Sequence, residues 1–216
     1  VGSNIIAGAA GQGGSGYTIQ RSLRFNSGDS SDLSRTPSSA GNRKTWTWAG
    51  WVKRSGLGYF QHVFDCASGS NPEEAPIRFY NDDRLDVSGY ANSLSYALTT
   101  TAKFRDTSSW YHIVVAFDTT NATANDRIKL YVNGSQITQF DRRTNPSQNT
   151  DYYVNNTIQH TIGRAGVSNT RYFDGYLADV HFLDGQAVDP TAFAEFDANN
   201  VWQPKEFTGS YTQTSG

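Results

Sequence analysis

The sequence predicts an all-β fold: a two-sheet antiparallel β-sandwich of the jelly-roll type, with one short helix near the C-terminus. Three observations predict it. Apolar residues alternate with a period of two over many short runs, and turn residues separate those runs. The 20 acidic residues divide into 16 Asp and 4 Glu, and Gly also reaches 20, a balance that serves turns more than helices. Aromatic residues make up 13% of the 216, which suits strands and contact surfaces. A chain of this length commonly folds as one sandwich and can bury roughly 70% of the surface its unfolded form exposes. The single cysteine, Cys66, has no intrachain partner and is expected as a small buried hydrophobe.

Residues 1–16 form a Gly-rich N-terminal zone around one apolar anchor, Ile5-Ile6. It reads either as a loose terminus or as an assembly arm that gains order by placing Ile5 and Ile6 on a neighbouring subunit. The jelly-roll domain spans 17–207. In Ser22 to Asn26, Leu23 and Phe25 share a side. Thr45 to Lys53 alternates most clearly: Trp46, Trp48, Gly50 and Val52 share one face, and Thr47, Ala49, Trp51 and Lys53 the other. Val63-Phe64, Ile77 to Tyr80 and Arg84 to Val87 are further strands. Trp110 to Asp118 is a nearly continuous apolar run, the pattern of a strand buried on both faces. Arg127 to Val132 leads into Asn133-Gly134. That pair tolerates positive φ at both positions and so marks a type I′ hairpin, with Ser135 to Phe140 as the returning strand. Thr157 to Gly163 and Gly175 to Leu183 give two more strands. Asp189-Pro190 supplies an N-cap and a first-turn proline for a short helix over 190–196. Residues 208–216 read as a C-terminal tail that frays from Tyr211.

Charge and hydropathy exclude two partner classes. Eighteen basic against 20 acidic residues give a net charge of −2 and no electrostatic reason to expect nucleic acid. No apolar run approaches the ~20 residues of a membrane helix.

The motifs carry a resemblance. Trp110-Tyr-His-Ile-Val-Val-Ala-Phe-Asp118, followed by Lys129-Leu-Tyr-Val-Asn-Gly134, resembles the W-H-x-V strand and L-Y-x-N-G hairpin of laminin-G and pentraxin domains. Ile162-Gly-Arg164 with Tyr172 to Val180 is similar to their I-G and F-x-G-x-(I/L)-x-x-V segments, and Trp46 to Val52 to their F-T-I-S-x-W-V strand. The ordered set implies a concanavalin A-like lectin/glucanase jelly roll. A narrower likeness, carried by Ser22 to Asn26, Leu33 to Pro37, Gly41 to Trp48 and Gly175 to Ala187, resembles virion surface proteins of tailed bacteriophages: fibres, appendages or capsid decorations. It implies a structural or adhesion protein on the virion surface, made in the host cytoplasm. Its partners would be other virion proteins, copies of itself and a cell-surface glycan. The alternative is a glycan-binding receptor-recognition module.

Because glucanases share this fold, catalysis needs a test. A retaining glycosidase requires two carboxyl groups about 5–5.5 Å apart. Glucanases of the resembled type carry an E-x-D-x-x-E pattern, and Glu195-Phe-Asp197 has Asn200 in place of its second glutamate. Glu73 and Glu74 are adjacent and would face opposite ways. No G-x-S-x-G elbow or phosphate-binding loop is present. Asp179 and His181, two residues apart on one strand face, are favoured as a structural hydrogen-bonded pair over a catalytic or metal site. No catalytic residue is assigned, and no enzyme is expected. Calcium is the one candidate cofactor, because relatives of this type often carry it. Asp82 and Asp83 are the preferred ligands, ahead of the stretch from Asp118 to Asp126, although Asp and Asn are also ordinary turn residues. A sugar site needs aromatic platforms beside polar groups. Trp51 is the first candidate because it points away from Trp46 and Trp48, followed by Tyr59, Tyr80, Tyr90, Tyr152, Tyr153 and Tyr172 in or near loops. The competing readings are packing of Trp51 beneath a covering loop and protein contacts for the tyrosines.

Overall fold

The computed structural model describes residues 16–68, 73–167 and 169–212, so Ile5 and Ile6 lie outside the described residues. The strands in chain order are β1 (Leu23–Phe25), β2 (Leu33–Arg35), β3 (Thr45–Arg54), β4 (Gln61–Ala67), β5 (Ile77–Phe79), β6 (Arg84–Ala91), β7 (Ser93–Lys103) and β8 (Tyr111–Asp118). They continue as β9 (Ile128–Val132), β10 (Ser135–Gln136), β11 (Phe140–Thr144), β12 (Gln159–Ile162), β13 (Gly175–Asp184), β14 (Ala194–Phe196) and β15 (Trp202–Pro204). A six-stranded back sheet has the order β1-β13-β3-β8-β9-β10, and a seven-stranded front sheet the order β11-β7-β6-β5-β4-β12-β2; β14 and β15 pair separately. The strand pairs are antiparallel throughout.

The alternation in β3 decides the core. Trp46, Trp48 and Val52 point inward against Phe64 and Cys66 of β4 and Leu98 of β7, while β8 adds Ile113, Val115 and Phe117. Trp46 stacks on Phe117 with centroids 4.8 Å apart. Each such side chain contributes roughly 1.5–3 kcal/mol by leaving water. Gly50 belongs to the same inward row, and a Cβ there would meet the Trp48 ring at 3.1 Å. Cys66 is buried, and burial pushes its thiol pKa well up.

The outward row of β3 is equally apolar. Ala49 and Trp51, with Val114 of β8 and Ala178 and Leu183 of β13, are covered by Tyr17 and Ile19 from one end of the chain. Phe193, Ala194, Trp202 and Phe207 cover them from the other end. The back sheet is therefore buried on both faces, which is why β8 reads as a continuous apolar run.

Three expectations need correction, and one strand was not anticipated. The Asn133-Gly134 turn forms as expected, with φ of 49° and 79°. The returning strand, however, ends at Gln136, not Phe140. Ile137 and Phe140 pack against the core, and the chain crosses to the front sheet, where β11 pairs with β7. The helix expected over 190–196 is a single 3-10 turn, Pro190–Ala192, capped by Asp189. Buried Phe193 ends it, and Ala194–Phe196 pairs as a strand with Trp202–Pro204. The tail does not fray at Tyr211: Asp184 N–H donates to the Tyr211 carbonyl at 2.8 Å, and Thr212 bridges Asp184 in parallel. Finally β7, eleven residues of mostly small and polar side chains, is absent from the strand pattern read along the sequence.

Candidate functional site

The front sheet presents a different outer face. Alternation in β5 sends Ile77 and Phe79 inward and Arg78 outward. In β6 it sends Leu85 and Val87 inward, and Asp86 and Ser88 outward. The register then places Arg78 opposite Asp86, and Asp86 opposite Thr99 of β7. Arg78 Nε donates to Asp86 Oδ2 at 3.0 Å, and Arg78 Nη2 reaches Ser88 Oγ at 3.3 Å and the Tyr90 hydroxyl at 3.2 Å. Thr99 Oγ1 donates to Asp86 Oδ1 at 2.7 Å, and Ser88 Oγ to Asp86 Oδ2 at 2.8 Å. Glu74 Oε1 lies 3.6 Å from Arg78 Nη1. Burial opposes the charge on Arg78, but Asp86 and the neighbouring tyrosines outweigh it and raise the guanidinium pKa. Burial, and then Asp65, pushes the Glu74 carboxyl up.

Two aromatic rings flank this buried cation. The Arg78 guanidinium carbon is 5.1 Å from the Tyr80 ring centroid and 5.8 Å from that of Tyr90, both within cation–π range. Exposed Phe60 meets Tyr80 edge-on at 5.3 Å. Exposed Arg171 lies over Phe60 at 5.4 Å, and Arg84 over Tyr80 at 5.6 Å. The result is a row of partly exposed ring surfaces, held in place by guanidinium groups and bordered by hydroxyls and a carboxyl group.

Tyr80 and Tyr90 are thus the sequence-selected residues that the fold brings together. The others disperse. Trp51 is 5% exposed and packs against Ile19, Ala178 and Ala194, with its ring 4.9 Å from His112, so its reading as a surface platform is corrected. Tyr152 is buried edge-on against Tyr96 at 5.0 Å, and its hydroxyl accepts from Ser147 N–H at 2.9 Å. Tyr59 is exposed, with its hydroxyl 3.5 Å from Asp174 Oδ2, and Tyr172 is half-buried before β13. Tyr153 hydrogen-bonds Glu73 and lines a hollow of about 450 Å³ at one end of the sandwich, with Arg43, Ser93, Ser95 and Asp151. Glu73 and Glu74 therefore diverge, one toward Tyr153 and the other toward Arg78.

The calcium ligands are corrected too. Asp83 is buried: Oδ1 takes Arg54 Nη2 and Gly58 N–H, both at 3.0 Å, and Oδ2 takes Arg105 Nε at 2.9 Å. Burial alone would raise its pKa, but the Gly58 amide and the two guanidiniums hold it below the usual carboxylate range. Asp82 is occupied by Arg84 Nε at 2.7 Å. A guanidinium already supplies the countercharge that a cation would bring. Asp118 Oδ1 accepts from Thr120 N–H at 2.9 Å, as a turn residue does.

Catalytic arrangements fare no better. Asp65 and Asp86 are fully buried, and the Asp65 oxygens accept from Ala75 and Gly166 N–H. Glu195 lies in β14, while Asp197 Oδ1 accepts from Asn199 and Val201 N–H in the turn before β15. Asp179 and His181 do meet, Oδ1 to Nε2 at 3.2 Å, but in a structural chain. The Tyr211 hydroxyl is 2.9 Å from His181 Nδ1, and the Tyr17 hydroxyl donates to Asp179 at 3.3 Å, so the pair ties both chain ends onto the back sheet. Trp202 Nε1 donates to His112 Nδ1 at 3.1 Å, and burial, then His181, lowers the His112 pKa to about 3. Among the described residues no cluster of three or more His, Cys, Asp or Glu could hold a metal, and no helix is long and apolar enough to cross a membrane.

Two packed antiparallel sheets and an aromatic, polar front face define a lectin-like jelly roll. The sequence profile of the concanavalin A-like lectin/glucanases superfamily (Laminin_G_3) matches residues 26–190, and the chain belongs to that family. Among solved structures it is similar to the heptameric SAP-like pentraxin of Limulus polyphemus, at 16% identity and TM-score 0.54, over 77% of this chain and 76% of that one. It is similar to the CBM40 of the Ruminococcus gnavus IT-sialidase bound to α2,3-sialyllactose, at 12% identity and TM-score 0.51, over 75% and 95%. Domain 4 of AbnA, a GH43 extracellular arabinanase from Geobacillus stearothermophilus, in complex with arabinotriose, gives 15% identity and TM-score 0.52 over 80% and 86%. No curated protein matches the chain in sequence. Likeness at these identities shows the shared fold.

Proposed function

We propose that this domain is a non-catalytic glycan-binding module whose binding face is the row Phe60, Tyr80 and Tyr90 on the front sheet. The observation that carries the reading is Arg78. A buried guanidinium, fixed by Asp86, Ser88 and Glu74, orients two tyrosine rings on the outer face of the front sheet, opposite the face onto which Tyr17, Ile19 and residues 188–207 pack. Rings fixed beforehand lose little freedom on meeting the apolar face of a sugar, and their hydroxyls, which accept from Arg78 Nη2, keep an O–H to donate to the ligand. The sugar complexes of two similar folds agree with this reading. The test is a glycan array followed by titration calorimetry on the best ligand. Tyr80→Ala and Tyr90→Ala should each weaken binding by about ten- to a hundredfold, the loss of one buried aromatic contact, with the folded β spectrum retained in circular dichroism. Retained affinity in both variants, with loss in Tyr153→Ala, would move the site to the end hollow. Silence across the array would remove the reading.

A finer reading places the module on a phage particle, as a decoration, appendage or fibre component. Its support is the resemblance carried by residues 22–26, 33–37, 41–48 and 175–187. An antibody to this domain should then label intact particles, and particles carrying no label would end that reading.

A further inference from the structure

The sandwich core opens along one side. Edge strands β1 and β2 have three residues each, and among the described residues each pairs on one side only, with β13 and β12. Leu23 and Leu33, paired with Leu177 and Ile162, carry the inward pattern but sit where the sheets run out. They are 49% and 50% exposed, and Val180 nearby is 36% exposed. These side chains, with Phe25, Ile162 and Leu177, line a groove of about 410 Å³ whose charged groups are Arg21 and Asp179. A second hollow of about 330 Å³ shares Leu33 and Ile162 and continues toward Phe64 and Phe182. Exposed apolar side chains beside two free strand edges are what natural sheets avoid unless something covers them.

We propose that the N-terminal segment of a second copy of this chain covers this groove, with Ile5 and Ile6 placed against Leu23, Leu33 and Val180. Composition fits: residues 1–20 contain no charged side chain, and Val1, Ile5 and Ile6 are the large aliphatics before Gly8. Reach fits as well. Residues 1–15, fully extended, span about 50 Å, against a radius of gyration of about 17 Å for a compact chain of this length. The direction of the chain favours a neighbour over the chain itself. Arg21, Ser22 and Leu23 already form one wall of the groove, and from there back to Ile19 the chain climbs onto the outer face of the back sheet beside Trp51 and Ala178. Gly16 stands in open space. An extended segment arriving from another copy can add to the free edge of β1 or β2 while an isoleucine enters the groove. The contact is heterologous, segment to groove, so it builds a ring or a chain of copies. It does not rest on the glycan reading, because it uses the opposite kind of surface at a different edge.

The test uses the full chain and two variants in sedimentation velocity across a concentration series. Ile5→Asp/Ile6→Asp lacks a functional segment and keeps its groove; Leu33→Glu keeps its segment and lacks a groove. The full chain should self-associate with rising concentration, and each variant alone should remain monomeric. An equimolar mixture should form 1:1 pairs and nothing larger. Circular dichroism melts check the fold, with Leu23→Ser as a second groove variant if Leu33→Glu unfolds. A full chain that stays monomeric, an Ile5/Ile6 variant that associates like the parent, or a mixture that stays monomeric would each overturn the proposal.

Discussion

The outer faces of the two sheets solve the same problem in opposite ways. On the back sheet, Ala49, Trp51, Val114, Ala178 and Leu183 make the outward row apolar, so it is buried beneath Tyr17, Ile19 and the segment from Val188 to Phe207. On the front sheet, the outward positions hold His62, Asp65, Arg78, Asp86, Ser88 and Thr99, and this row is also buried. Part of it pairs within itself, since the Asp86 carboxylate takes Arg78, Ser88 and Thr99, and part is met by nearby loops, since the Asp65 oxygens take Ala75 and Gly166 N–H. An apolar outer face requires more chain to cover it. A polar one whose charged groups are paired leaves its flanking tyrosines partly exposed at the surface.

Substitutions can break this comparison at either face. The largest effect is expected on the covered side. Trp51→Ala removes an indole from beneath Ile19 and Ala194 and should cost about 3–5 kcal/mol in chemical denaturation, with the cover loosened. A loss under 1 kcal/mol would mean that the cover is not held by Trp51. On the front side, Asp86→Asn should cost about 3 kcal/mol, because it strands a buried guanidinium. The double variant Asp86→Asn/Arg78→Met should be less destabilised than Asp86→Asn alone, since the uncompensated charge is then gone. A double-mutant cycle that comes out additive would show that the two residues do not act as a pair.

The pH response separates the faces further. His112 lies under the cover with a pKa lowered to about 3, against about 6.5 when unfolded. Between those values the unfolded chain binds a proton that the folded one does not. Stability conferred by neutral His112 is therefore complete above pH 6.5 and is lost as the pH falls toward 3, at up to about 1.4 kcal/mol per pH unit. Urea midpoints measured from pH 7 to pH 4 should show this slope, and His112→Gln should flatten it. An unchanged slope in the variant would assign the acid sensitivity to another group.

The same contrast explains what the sequence made legible. Period-two alternation identified β3, β9 and the inward row of Trp46, Trp48 and Val52, and Asn133-Gly134 placed its turn, because these signals are local. Strand β7 was not legible: Ser, Thr and Ala at seven of its eleven positions give no apolar peak, and its pairing with β6 and β11 is what defines it. The cover over Trp51 was not legible either, since it depends on residues 17–19 and 188–207 returning to one sheet. Tyr80 and Tyr90 could be named as aromatics near loops, but Phe60, Arg78 and Glu74 had no motif. The partners of Arg78 come from positions 86, 88 and 90 on β6 and from 74 and 80 on either side of β5, and only the register of β5 against β6 brings them together.

The smallest effects belong at the exposed margin of the front face, and they test how the Asp-rich turn after β5 is used. Asp82 and Asp141 both pair with Arg84, and all three side chains are partly exposed. Solvent screening keeps such pairs weak, so Asp82→Asn and Asp141→Asn should each change stability by no more than about 1 kcal/mol. Asp83, one residue away, differs because it is itself buried, with Arg54 holding it from inside and exposed Arg105 from the surface. With those carboxylates already neutralised, millimolar calcium and excess chelator should give the same thermal unfolding midpoint. A midpoint that rises with calcium, and no longer does so in Asp82→Asn, would show that the ion displaces Arg84 from this turn and would restore it as a metal site.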